Sequence, residues 1–307
     1  MGGLFIQQPP TIGKGEAIMK LKKTSFYILF LPALAVLIMV AIFPFAACIS
    51  NSTRFYDLTN PAKGTPYIGA TNYKLLFEDI RFWHSLKITV YFVVFGGIIQ
   101  LIIGYFMASL INGTEKGSRI VPFFLIPMVM TPVVVGLTWR LMYDHTLGII
   151  NYFVRLLGFT PLAWLGTGRL ALFSIILTDV WEWTPLIFLV LYSGMRALPT
   201  EPYEAGKIDG ANTWQVLTRI TLPLLKPVIL VAVLLRTIDA FKWFDTMYIM
   251  TNGGPGIATE TASLYSYLIS FNFFNIGKGS AFSIIMIILV NIFCLFYTKI
   301  IPEKEMA

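Results

Sequence analysis

Two stretches of this sequence carry side chains suited to a polar solute. The first is Asp179, Trp181, Glu182 and Trp183; the second is Arg236, Asp239, Lys242, Trp243 and Asp245. A polyol packs its C–H faces on aromatic rings while its hydroxyls need both donors and acceptors, and these stretches offer rings, carboxylates and cations together. Carbohydrate is the ligand class they imply. The same groups also support plainer readings: Asp179 with Arg236, or Asp239 with Lys242, as structural ion pairs, and Trp181 and Trp183 as interfacial or packing aromatics. Cys48, Cys294, His84 and His145 have no metal-ligand spacing, so neither a metal centre nor a disulfide framework is expected. Gly13-Lys14-Gly15 and Gly277-Lys278-Gly279 lack the preceding glycine and the hydroxyl residue of a phosphate-binding loop, so this chain is expected to bind no ATP and no cofactor of its own.

The elements that must position these groups belong to a membrane. Of 307 residues, 56% are hydrophobic and 13% charged, whereas soluble domains carry about 25% charged residues. With Phe 25, Tyr 14 and Trp 7, the apolar side chains exceed what one core holds, so a second apolar solvent is required. The expected fold is an all-α polytopic membrane protein with six transmembrane helices, near 25–49, 88–112, 119–143, 170–195, 222–241 and 280–301. The formal charge of +7 is scattered between apolar runs, which fits topology and not a nucleic acid. Lys20, Lys22 and Lys23 precede the first span, and the short inner segments hold close to half of the basic residues outside the spans, so both termini are expected in the cytoplasm. The expected organisation is a cytoplasmic tail over 1–24, a transmembrane domain over 25–301 and a cytoplasmic terminus over 302–307.

The run ending in Phe45-Ala46-Ala47-Cys48 is too long for a signal peptide and reads as a retained helix. Pro127 and Pro132 interrupt the third span, as expected where backbone lines a cavity, and Met128 between them is a candidate wall. Arg140, near the outer end of that span, is expected to snorkel. No internal repeat is present, so a transporter built on this chain needs a partner.

The inner segment between the fourth and fifth spans runs from Leu198 to Pro223. Thr200 is placed as a helix N-cap, with Pro202 in the first turn and Glu204 near capping-box distance, and Gly210 supplies a left-handed C-terminal turn. A second helix is expected from Asn212 or Thr213, burying Trp214, Leu217 and Ile220 on one face and joining the fifth span at Pro223. The result is a helical elbow beneath the membrane over 200–221, its small residues Ala205 and Gly206 admitting another backbone.

This elbow resembles the signature of the permease subunits of binding-protein-dependent ABC importers: E-A-A, three residues, G, nine residues, then I-x-L-P. Glu204, Ala205, Gly210, Ile220, Leu222 and Pro223 fall at the required spacing, and Gly206 replaces the second alanine, a change that loosens the first helix by up to ~1 kcal/mol. Tyr67-Ile68-Gly69-Ala70-Thr71-Asn72-Tyr73, Phe82-Trp83, Trp181-Glu182-Trp183-Thr184-Pro185 and Phe244-Asp245-Thr246-Met247-Tyr248 leading to Thr251-Asn252-Gly253-Gly254-Pro255 are similar to the larger, maltose-type permease of the carbohydrate group. Ile88 stands where relatives often carry Asn.

The resemblance implies the type I ABC importer permease fold in a bacterial or archaeal cytoplasmic membrane. It further implies a second homologous permease, two ATPase subunits holding ATP and Mg, an extracytoplasmic solute-binding protein and a small carbohydrate substrate. Glu204, Ala205, Gly206, Gly210, Ile220, Leu222 and Pro223 would couple to the ATPase. Met128, Asp179, Trp181, Glu182, Trp183, Arg236, Asp239 and Trp243 mark the region of the solute path. Two other classes use the same charges differently: a polytopic membrane enzyme with Asp179 and Glu182 as acid and base, or half of a proton-coupled secondary transporter relaying through Asp179 or Asp239.

Overall fold

A computed structural model describes residues 23–114 and 117–300. The expected tails, 1–24 and 302–307, therefore lie outside the described residues but for Lys23 and Thr24. The chain divides into two compact units, residues 1–48 and 49–307. The described part of the first is helical: α1 (Lys23–Leu37) leads through a wider π-helical turn, Ile38–Ile42, into α2 (Phe43–Ser52). Within Phe30–Ser52 the most apolar 18-residue stretch has no buried residue, as suits a helix whose surroundings are hydrocarbon.

The second unit is built on four long apolar helices: α4 (Ile80–Asn112), α9 (Gly168–Arg196), the continuous helix Thr213–Lys242 and α15 (Ile276–Ile300). The last part of Thr213–Lys242 is α12 (Leu222–Lys242). Short helices α3 (Thr71–Phe77), α8 (Ile149–Leu156), α13 (Asp245–Thr251) and α14 (Ala262–Tyr267) lie in the connections. Among the described residues there is no strand, only two isolated antiparallel bridges, Arg54 with Tyr67 and Asp57 with Asn275.

Among the described residues five helices are long and apolar enough to cross a membrane, and the remaining one of the six expected spans is not one continuous helix. The third expected span is three short pieces, α5 (Gly117–Phe124), α6 (Ile126–Val129) and α7 (Pro132–Met142). Proline lacks the N–H of the helical ladder and pushes the preceding residue out of the α region. Thr131, before Pro132, is accordingly extended, at φ −70° and ψ 140°.

Packing in the long helices follows small residues. The buried face of α4 includes Phe92, Gly96, Gln100, Gly104, Ala108 and Ile111, a spacing of three and four that makes one stripe. A Cβ at Gly104 would stand 2.9 Å from Ile187, and one at Gly96 would stand 3.2 Å from Asp179, so α9 lies almost against the α4 backbone. Lipid offers no hydrophobic drive between helices, and close packing across small residues takes its place.

At the opposite end from the elbow, polar contacts tie the loops to the start of α4. Asp79 caps α4, accepting from the Arg81 N–H at 2.9 Å, and also accepts from Tyr265 Oη at 2.6 Å and Lys278 Nζ at 2.7 Å. Arg81 grips Glu260 through two hydrogen bonds of 2.7 and 2.5 Å, and the Ala262 N–H donates to Thr89 Oγ1 at 2.8 Å. The segment around Gly253-Gly254-Pro255 is thus anchored to α4.

Candidate functional site

The elbow forms from local chemistry. Thr200 differs from the expected cap: it lies in the helical region, at φ −83° and ψ −24°, and its side chain caps nothing. Its carbonyl instead accepts from the Tyr203 and Glu204 N–H groups, opening α10 (Glu201–Ile208). Gly210 closes that helix at φ +71°, a left-handed conformation that glycine adopts without a Cβ clash, and the Ala211 N–H reaches back to the Gly206 carbonyl at 2.9 Å. Asn212 then starts the second helix with a full capping box: its Oδ1 accepts from the Gln215 N–H and its own N–H donates to Gln215 Oε1, both at 2.9 Å. From there α11 (Thr213–Gln215) runs through a π-helical turn, Val216–Thr221, into α12.

The motif residues meet in this elbow. Gly206 is buried, and Ile220 occupies the space its side chain would take. Tyr203 Oη donates to Thr221 Oγ1 at 3.2 Å, a second tie between the two helices. Glu204 and Ala205 are left exposed, and Ile208 is 85% exposed. A carboxylate and an apolar side chain thus share the outer face of this helix. Trp214 corrects the expectation of burial: it is 69% exposed, because its ring lies along an open groove and not within the elbow.

The charged residues of the spans separate into two environments. Asp179 and Arg236 are buried, at 0% and 3% exposure, and form an ion pair between α9 and α12, with one contact, Arg236 Nη2 to Asp179 Oδ2, at 2.5 Å. Gln100 of α4 completes the set: its Oε1 accepts from Arg236 Nε and its Nε2 donates to Asp179 Oδ2, both at 2.8 Å. The Arg236 guanidinium also lies over the Trp183 ring at 5.7 Å, and Asp239 bridges Arg236 at 3.5 Å and Lys242 at 3.7 Å. Glu182 is buried beside this network, and its Oε2 and the indole nitrogens of Trp183 and Trp243 have no hydrogen-bond partner among the described residues. Trp243 is stacked on Phe92 at 4.8 Å.

Trp181 stands apart from that cluster. It is 38% exposed and lines a groove of about 420 Å³ between the broken third segment and α9, with Pro127, Trp139 and Thr184 among the walls. Trp139 meets Trp181 edge to face at 5.5 Å and is backed by the buried Tyr143 at 5.3 Å. Met128 is half-buried in α6 and does not reach the groove wall, whereas its neighbour Pro127 does. Arg140 donates to the Ile249 carbonyl at 3.0 Å. Sequence reading missed Gln100 and Trp139. A lone amide in an apolar run is a signal of the first, and the one-turn spacing of Trp139 from Tyr143 is a signal of the second.

Comparison with known proteins places these features. Residues 100–304 match the family described as the binding-protein-dependent transport system inner membrane component. The trehalose/maltose transport system permease protein MalF of Thermococcus litoralis is 38% identical over 278 residues, covering 89% of this chain and 92% of that protein. The sulfoquinovosyl glycerol transport system permease protein SmoG of Agrobacterium fabrum is 32% identical over 283 residues, covering 91% and 90%. In the crystal structure of a bacterial ABC transporter involved in the import of the acidic polysaccharide alginate, one chain shares the fold with a TM-score of 0.75 at 19% identity, covering 90% of this chain and 94% of that one. The matched region holds the elbow, the ion pair and the aromatic groove together, and this chain belongs to the family of inner membrane components of binding-protein-dependent ABC transport systems.

Proposed function

We propose that this chain is the permease subunit of an ATP-driven importer for a sugar or related polyol. It would form the translocation path with a second homologous permease, and two ATPase subunits would hold the ATP and Mg. An extracytoplasmic solute-binding protein would deliver the solute. The observation that carries this reading is the elbow: Gly206 and Ile220 lock its two helices while Glu204, Ala205 and Ile208 face outward. The sugar class is supported by the relatives named for trehalose, maltose and sulfoquinovosyl glycerol, and by the Trp139–Trp181 groove, whose rings suit the C–H faces of a pyranose.

In this reading both termini and the elbow lie on the cytoplasmic side. Closure of the ATPase dimer pushes the elbow, and the permease pair opens outward to a loaded binding protein. Met128, Asp179, Trp181, Glu182, Trp183, Arg236, Asp239 and Trp243 mark the region of the path. Trp181 would touch solute, its ring lining the groove, and the buried Asp179–Arg236 pair would hold the helices that carry the walls.

The test is a tagged purification from native membranes in mild detergent, with mass spectrometry of the accompanying chains and an ATPase assay on the product. Recovery of a second permease and an ATPase, with the ATPase lost from a Glu204→Ala chain, is the expected result. Recovery of this chain alone without ATPase activity would overturn the proposal.

A further inference from the structure

An apolar groove of about 630 Å³ runs between α4 and the continuous helix Thr213–Lys242, a size within the ~300–1,000 Å³ of small-molecule sites. One end is aliphatic, with Leu101, Ile102 and Ile229. The other end shares Tyr105, Ser109 and Thr221 with an adjoining polar pocket that adds Asn112, Thr200 and Tyr203. The groove therefore changes from hydrocarbon to hydrogen-bonding surface along its length. Leu101 to Ser109 of α4 alone covers about 12 Å of that gradient. Such a gradient matches an amphiphile lying along the membrane normal, its tail at Ile229 and its head near the elbow.

Charge selects the kind of amphiphile. Leu222 and Ile229 line the groove, and Lys226 lies between them at the i+4 and i−3 positions of the same helix face. Its side chain is exposed, and no hydrogen bond or ion pair is made to it among the described residues. Side chains of a helix lean toward its N-terminus, and a lysine extends its ammonium further the same way, here toward the polar end of the groove. Arg219, also exposed, lies nearer the elbow in the π-helical turn Val216–Thr221. The groove's own lining holds no charge, and the exposed cations beside it, Lys226 on the same helix face and Arg219 nearer the elbow, favour an anionic head group at its rim.

We propose that this groove binds an anionic phospholipid of the cytoplasmic leaflet, with Lys226 drawing the phosphate and the acyl chain filling the space between α4 and the elbow helix. The leaflet rests on the orientation proposed above; the charge dependence does not. A lipid so placed wedges the elbow against α4 and makes coupling depend on the lipid composition of the membrane.

The experiment uses the assembled complex, reconstituted in vesicles of phosphatidylcholine mixed with phosphatidylglycerol, re-extracted in mild detergent and weighed intact by native mass spectrometry. The wild-type complex is expected to retain phosphatidylglycerol in preference to phosphatidylcholine. Lys226→Gln should weaken that retention about fivefold, the factor expected for one basic side chain at an anionic surface, while Lys226→Arg should preserve it. Ser109→Trp, which fills the groove, should release both lipids. Equal retention of the two lipids, or a Lys226→Gln complex indistinguishable from wild type, would overturn the proposal. So would a Phe106→Cys chain that crosslinks to a partner protein while no lipid is retained, since the occupant would then be that protein. Labelling of an Asp209→Cys elbow from outside sealed cells would overturn the orientation and the leaflet together, whatever the Lys226 result.

Discussion

Gly206 and Ile220 claim the same space: a Cβ on residue 206 would stand 2.8 Å from Ile220 Cδ1. The glycine that departs from the family motif is therefore the residue on which the motif isoleucine packs. Adding a methyl there gains up to ~1 kcal/mol of helix propensity and displaces only the far end of a flexible side chain. Gly206→Ala is expected to keep near-normal uptake, whereas Gly206→Leu should force the two elbow helices apart and lose coupling. Gly206→Leu combined with Ile220→Ala should recover part of it, as read from solute-stimulated ATPase activity of the complex.

Glu204 is exposed on the outer face of α10. Glu204→Ala should leave the level of the chain in the membrane unchanged and abolish transport. Normal uptake by that variant would remove the elbow from the mechanism.

The Asp179–Arg236 pair is buried, and removing one partner strands the other charge. Arg236→Ala is expected to destabilise the chain by about 3–5 kcal/mol, and Asp179→Leu with Arg236→Met to recover most of that loss. Thermal unfolding of the detergent-solubilised complex measures both. If the double variant were as unstable as the single, the arginine would be needed for more than its charge partner.

Trp181 and Trp139 line an open groove, so their truncation should act on solute. Trp181→Ala or Trp139→Ala should raise the solute concentration needed for half-maximal uptake while leaving basal ATPase activity of the assembled complex close to wild type. Equal losses in both assays would assign the two rings to packing.

Asp79 supplies the pH dependence. Burial raises its carboxyl pKa, but hydrogen bonds from Lys278 and Tyr265 and the charge of Lys278 outweigh burial, so the pKa lies below its ordinary value. A depressed carboxylate contributes stability above its unfolded pKa of about 3.9 and loses it as pH falls through the lower folded value. The ties from Asp79 to Tyr265 and Lys278 should therefore hold from neutrality down to about pH 4 and loosen below it. Hydrogen exchange of residues 262–279 at stepped pH checks this, and Asp79→Asn should remove the acid step.

The parts of the fold that the sequence revealed are those governed by local chemistry. Gly210 and the helix start at Asn212 announce the elbow because turn and cap chemistry is local, whereas the capping box expected at Thr200 and Glu204 is found instead at Asn212 and Gln215. Pro127 and Pro132 mark the broken segment because proline restricts its own neighbours, although the number of pieces depends on packing. Gln100 stands out in the sequence as a lone amide in an apolar run, but its role was not legible, since its partners lie 79 and 136 residues away. Trp214 misled because an apolar residue beside lipid looks the same in sequence as one in a core. Trp181 and Glu182 adjoin in sequence yet face an open groove and a buried network respectively, because neighbours on a helix point about 100° apart.

One guanidinium joins α4, α9 and α12 at a single depth. Sliding any of the three past the others would tear charge-assisted bonds in hydrocarbon, where no water replaces them. The ties thus favour these three helices moving together, and among the described residues the proline-divided stretch 117–142 is the interrupted neighbour able to bend against them. Its three short helices also carry part of the aromatic groove, so the same joints that permit movement would reshape the surface a solute meets.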